Sequence, residues 1–109
     1  MAGTFDDTTE KVRIEDLRKL AFGAIGAGFA VVGPILTDDA EMACITNNTN
    51  VNLIVSIDGV KEQIIMIAGA YKLLDLRTNL KKVGSRTQFW VKAEAALPTS
   101  GSLYIEVII

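Results

Sequence analysis

The stretch Leu103-Tyr104-Ile105-Glu106-Val107-Ile108-Ile109 decides how this chain folds. Alternate positions Leu103, Ile105, Val107 and Ile109 make one apolar face, as a β-strand packed on a core requires. The opposite face of a half-buried antiparallel strand should be polar, yet it carries Tyr104 and Ile108 beside Glu106. A strand apolar on both sides needs cover on both sides. The pattern also runs unbroken to Ile109, and a free apolar edge there would invite strand addition. The strand is therefore expected either in the centre of its sheet or paired in an assembly.

Read outward from that segment, the chain holds seven more stretches of strand character, separated by turn residues. Leu97-Pro98-Thr99-Ser100-Gly101 turns the chain into the last strand. Residues 86–94 precede it, with Phe89, Val91 and Ala93 facing one way and Trp90 the other. Residues 62–67 and 71–76 flank Ala68-Gly69-Ala70. Residues 51–57 alternate, with Val51, Leu53, Val55 and Ile57 against Asn52, Ile54 and Ser56, and Asp58-Gly59 then predicts a tight hairpin. Residues 40–46 end at Asn47-Asn48-Thr49-Asn50, whose side chains bond their own backbone and tolerate positive φ. Residues 20–25 and 29–36 flank Gly26-Ala27-Gly28. About eight strands with turn signals every eight to twelve residues predict an all-β, antiparallel sandwich or barrel, and a two-sheet sandwich is the expected form. No repeat of fixed period and no low-complexity tract interrupts it.

The domain organisation follows. Residues 20–109 form the β-sandwich domain, and residues 1–19 form an extended N-terminal arm. Residues 1–11 are small, polar and charged, with Phe5 as a single anchor able to plug into a partner. Val12, Ile14, Leu17 and Leu20 suit a short helix or an extended segment equally.

Composition narrows the function. Half of the 109 residues are hydrophobic, and the net charge is −2, with Lys and Arg never clustered. Without a basic patch to displace phosphate counterions, direct nucleic-acid binding is not expected. Histidine is absent, which removes the commonest general base and the commonest metal ligand. No nucleophile elbow appears, and Gly23-Ala24-Ile25-Gly26-Ala27-Gly28 has neither the phosphate-loop ending nor the dinucleotide-binding glycine order. No enzymatic activity, cofactor or metal is expected. Asp38-Asp39 lacks the spaced oxygen ligands of a calcium loop and reads as a solvated turn. Asn47-Asn48-Thr49 fits a glycosylation sequon, but Asp6, Asp7, Glu10, Glu15 and Asp16 do not suit a secretory leader. Cys44, the only cysteine, reads as a buried structural thiol. Residues 20–36 are uncharged, but their glycines and Pro34 argue against a membrane helix.

What remains is the outward apolar set: Ile54, Ile64 or Met66, Trp90, Tyr104 and Ile108. Contiguous exposed patches of that kind mark protein contacts. Trp90 and Tyr104 are the residue types of interface anchors, and the Pro98 turn would make them cross-strand neighbours.

Several segments carry a resemblance. They are Ile45-Thr46-Asn47-Asn48-Thr49-Asn50-Val51, Val55-Ser56-Ile57-Asp58-Gly59-Val60 and Ile67-Ala68-Gly69-Ala70, then Leu74-Asp75-Leu76-Arg77-Thr78-Asn79, Gln88-Phe89-Trp90-Val91-Lys92 and Pro98-Thr99-Ser100-Gly101-Ser102-Leu103-Tyr104. In order and spacing the chain resembles small virion proteins of tailed bacteriophages, the capsid cement or decoration proteins that stabilise heads. The resemblance covers residues 20–109 and leaves out the arm before Leu17. It implies a jelly-roll-like sandwich, made in the host cytoplasm and placed on the capsid exterior. There it would bridge neighbouring copies of the major capsid protein, as a dimer or in symmetric clusters. Phe5, Ile54, Trp90, Tyr104 and Ile108 are the expected partner-binding residues. A head–tail connector or tail component of similar fold is the nearest alternative. A small carbohydrate-binding module, with Trp90 open to stack on a sugar ring, is another.

Overall fold

The computed structural model describes residues 14–36, 40–75 and 87–108. Eight strands follow one another: β1 (Arg18–Ala21), β2 (Ala30–Val32), β3 (Met42–Asn47), β4 (Leu53–Ser56), β5 (Ile64–Met66), β6 (Tyr71–Asp75), β7 (Phe89–Ala93) and β8 (Ser102–Ile108). They form two antiparallel four-stranded sheets, β1-β8-β3-β6 and β2-β7-β4-β5. The expected sandwich is present. Strand one pairs with eight, two with seven, three with six and four with five, so the chain is one long hairpin rolled up into two sheets, the jelly-roll arrangement. Only β4 and β5 are consecutive strands within one sheet; every other connection crosses to the opposite sheet.

The period-2 pattern fixes which residues turn inward. In β8, Leu103, Ile105 and Val107 are fully buried, and Glu106 is exposed. Ile45 of β3 lies opposite Ile105, and Val55 of β4 lies opposite Val91 of β7. Phe89 is the largest fully buried side chain, and Leu36, Leu53, Met66 and Val32 fill the space around it. β8 lies between β1 and β3, so the centre of a sheet, rather than an open edge, accounts for its unbroken apolar pattern.

Several boundaries differ from expectation, for identifiable reasons. Residues 20–25 and 29–36 do not run as two full strands. β1 stops at Ala21, a 3-10 turn covers Phe22–Ala24, and Ile25 plugs the end of the core as the chain crosses between sheets. Two backbone bonds hold the crossing: Phe22 N–H donates to Gly101 O, and Ala93 N–H donates to Gly26 O. Pairing on the N-terminal side begins before residue 20, because Ile14 bridges Ile108 and Glu15 N–H donates to Val107 O. The segment around Ile14 and Leu17 is therefore extended. In the β4–β5 hairpin, pairing ends at Val55 opposite Ile64, so the connection is much longer than a two-residue turn. Ile64 and Met66 sit opposite inward Val55 and Leu53 and face the core; Ile65 is the outward residue. The arm residue Phe5, the Asp38-Asp39 pair and Ile109 lie outside the described residues.

One end of the sandwich is pinned by a buried carboxamide. Asn47 is fully buried. Its Nδ2 donates to Val51 O at 2.9 Å and Met66 O at 2.8 Å, while its Oδ1 accepts from Thr49 N–H at 2.9 Å and the Thr49 hydroxyl at 2.6 Å. The Asn47-Asn48-Thr49 sequon is thus structural, with no asparagine surface to modify. Next to it, Asn48 N–H donates to Ser102 O, and Asn50 and Thr99 exchange two bonds of 2.8 and 3.0 Å. Gly101, at φ 86°, packs so closely that a Cβ there would lie 1.8 Å from Asn48 O.

Two substitutions test this corner. Asn47→Ala removes the side-chain donor to Met66 O and the acceptor of Thr49 N–H, while Val51 O keeps the Thr49 hydroxyl, and is expected to cost about 2–4 kcal/mol in denaturant unfolding, without changing the m-value. Gly101→Ala meets both a left-handed φ and a backbone oxygen, and is expected to cost at least ~3 kcal/mol or to prevent folding.

Candidate functional site

The two outward faces of the sandwich have different fates. On the sheet β2-β7-β4-β5, the outward residues are Val31, Trp90 and Ser56 in one row and Lys92, Ile54 and Ile65 in the next. The β4–β5 loop folds back over them. Ser56 donates its hydroxyl to Asp58 Oδ1 at 2.7 Å, and Ser56 Oγ accepts from Gly59 N–H at 3.0 Å. Asp58 Oδ1 also accepts from Val60 N–H at 2.8 Å and Lys61 N–H at 2.9 Å. Gln63 Oε1 accepts from Ile57 N–H at 2.7 Å, closing the loop. Gly59 (φ 74°) lies flat on Trp90, where a Cβ would come within 2.9 Å of the indole. Lys92 pairs with Glu62 at 2.6 Å, and its ammonium sits 4.9 Å from the Phe29 ring centroid.

This arrangement corrects three expectations. Trp90 and Tyr104 are not cross-strand neighbours: β7 and β8 belong to different sheets, and the two side chains point to opposite sides of the sandwich. Trp90 is half-buried and Gly59 lies against one side of its indole, so the ring is not the open stacking platform that the sugar-binding alternative expects. Ile54, only 8 % exposed, is packed within its own chain and has little surface left for a partner.

Among the described residues, nothing folds back over the sheet β1-β8-β3-β6. Its outward residues form three rows across the strands. Lys19, Tyr104, Thr46 and Tyr71 make the first; Glu106, Cys44 and Leu73 the second; Ile108, Met42 and Asp75 the third. Ile14, bridged to Ile108, and Leu17 extend the surface beyond β1. Exposure is high for large apolar groups: 71 % at Tyr71, 67 % at Ile14, 56 % at Leu73 and 53 % at Leu17. Tyr104 and Ile108 are half-buried in the middle strands, on the outward side that the sequence pattern assigns to them. Cys44 is half-buried on this same face, not in the core; its inward neighbours Ala43 and Ile45 are the buried residues. Sequence reasoning missed Met42, Cys44, Tyr71 and Leu73 as parts of one surface, because non-local strand pairing alone brings them beside Tyr104 and Ile108.

Among the described residues, no group of three His, Cys, Asp or Glu side chains could hold a metal, and no helix is long and apolar enough to cross a membrane. A cavity of about 420 Å³ opens between Ile14, Glu15, Asp16, Arg18, Pro34 and Ile35. Its buried cation is already engaged: Arg18 Nη2 binds Glu15 at 2.7 Å, and Nε and Nη2 both donate to Pro34 O at 3.3 Å. Gly33 lies against the Arg18 aliphatic stem, so this group fastens the β2–β3 connection to β1. Comparison with known proteins finds no matching family model, no matching curated protein and no matching solved structure.

The loop that covers Trp90 gives a pH prediction. The backbone N–H groups of Lys61 and Val60, with the Ser56 hydroxyl, lower the Asp58 carboxyl from 3.8 to about 2. Its folded form therefore binds a proton less readily than the unfolded chain. The resulting stabilisation is complete above the unfolded value and is lost as pH falls through about 2. Measured against Asp58→Asn, the wild-type advantage in denaturant midpoint should hold at neutral pH and shrink steadily across that acid window.

Proposed function

We propose that this chain is a structural virion protein that cements or decorates an assembled phage capsid by bridging neighbouring capsid subunits. The observation that carries the reading is the apolar outward face of the sheet β1-β8-β3-β6, uncovered among the described residues, on a fold whose other face is partly covered by its own loop. Contiguous apolar patches beyond a few hundred Å² are rare on soluble monomers and mark contact sites. The turn segments that resemble small virion proteins supply the identity of the partner, the major capsid protein.

The mechanism is mechanical. Each copy removes part of the apolar face from water and links the subunits it touches, raising the work needed to separate them. Strands β8 and β3, in the middle of a hydrogen-bonded sheet, give the face a rigid base, so docking costs little ordering entropy. Repetition over a symmetric shell turns many modest contacts into firm retention.

Co-sedimentation with expanded shells of the parent phage tests the proposal. The wild-type protein should pellet with shells in many copies per particle. Leu73→Asp, at an exposed edge position, should fold normally and lose affinity by about thirtyfold or more, the scale of an interface hot spot. Wild-type protein that remains in the supernatant with intact shells would defeat the reading.

A further inference from the structure

The docking face has a charge at its centre. β8 and β3 are the two middle strands of their sheet, and Glu106 and Cys44 are directly paired in the middle of the three outward rows. Glu106 is exposed, with Tyr104 and Ile108 before and after it on the same face. Its carboxylate makes no ion pair among the described residues. Among the described residues of the outward rows the cation is Lys19, and its ammonium sits over the Tyr104 ring, 5.8 Å from its centroid.

Any partner that covers the apolar rows must also cover this carboxylate. Removing an unpaired carboxylate from water is costly, and a cation placed against it in a dry interface offsets that cost. Two copies of this chain do not meet the requirement. Stacked face to face about a central two-fold, they would bring two Glu106 carboxylates together.

We infer that the face formed by Tyr71, Leu73, Met42, Cys44, Tyr104 and Ile108 docks on a protein surface that is apolar and presents one Arg or Lys side chain to Glu106. The carboxylate is the specificity element: it makes the apolar face repel its own copy and admit a partner with the complementary charge. The inference deepens the cement-protein reading, from which it takes the identity of the partner, but its chemistry can be tested without any shell.

A charge-reversed copy of the chain serves as the probe, since it offers the same apolar face with a central cation. Wild type, Glu106→Arg and their equimolar mixture are compared by sedimentation velocity at concentrations up to about 1 mM. The Glu106→Arg copy also carries Cys44→Ser, so that thiol labelling reports only the wild-type Cys44. Each protein alone should sediment as a monomer. The mixture should form a heterodimer that salt weakens, with Cys44 labelling slowed by about tenfold. Leu73→Asp in either component should abolish the heterodimer. Glu106→Lys should reproduce the result if the arginine variant folds poorly. Wild type that dimerises with Cys44 protected, or a mixture that stays monomeric, would overturn the inference. A heterodimer from a chain that does not bind shells would remove the capsid reading and leave the inference standing. Shell binding without a heterodimer would do the reverse.

Discussion

The Asn47 carboxamide is the joint on which the sandwich depends. A jelly roll obliges the chain to cross between sheets repeatedly, and each crossing strands backbone groups that no sheet ladder satisfies. At this corner one side chain answers for several of them. Its amide reaches the carbonyls of Val51, entering β4, and Met66, ending β5, while its oxygen holds Thr49. Its own backbone bonds Ala70 and Gly69 at the start of β6. Asn48 then ties in Ser102 at the start of β8, and Gly101 leaves no space between them. The β3–β4, β5–β6 and β7–β8 crossings thus meet around two consecutive asparagines. An apolar residue at Asn47 would remove the side-chain bonds that join the β3–β4 and β5–β6 crossings in register, and a one-residue slip in any strand would exchange its inward and outward sets.

That exchange matters because the outward sets are not equivalent. The β4–β5 loop spends its polar groups on itself: Asp58 gathers two backbone donors, and Gln63 caps Ile57. With its backbone satisfied, the loop can lie against Trp90 at Gly59. One sheet is therefore partly covered by its own loop, while the other presents Tyr71, Leu73 and the half-buried middle-strand residues with no cover among the described residues. The asymmetry lies in loop length as much as in strand composition, since the turn at Ala68-Gly69 is short and bonds directly back to β3.

Much of this was legible in the sequence, and the failures have a common cause. Alternation located seven of the eight strands, caught only the end of β1, and placed Leu103, Ile105 and Val107 inward, with Tyr104 and Ile108 outward. The same alternation sorted Leu53 and Val55 from Ile54 and Ser56. Within β5 the three residues Ile64, Ile65 and Met66 are all apolar, so the pattern carried no phase and only pairing with β4 settles it. Trp90 and Tyr104 were placed together because a turn joins their strands; sequential adjacency misleads where nearly every connection changes sheets. Cys44 looked like core because a small apolar residue in a central strand reads alike on either face. Arg18 gave no signal: an arginine opposite Ile105 reads as solvent-facing until the Gly33-Pro34 segment covers it.

The rolled-hairpin order has a consequence for synthesis. The sheet β1-β8-β3-β6 draws its strands from both halves of the chain, with β1 beside β8, the first and last of the eight. The other sheet is built around the hairpin tip, β4 and β5. During translation the tip can pair early, whereas Tyr104, Glu106 and Ile108 join Met42, Cys44 and Leu73 only after the final strand has left the ribosome. Such non-local pairing is slow, on the order of milliseconds to seconds. A truncated or half-folded chain therefore lacks the continuous outward face, and assembly of that face acts as its own proof of a finished fold.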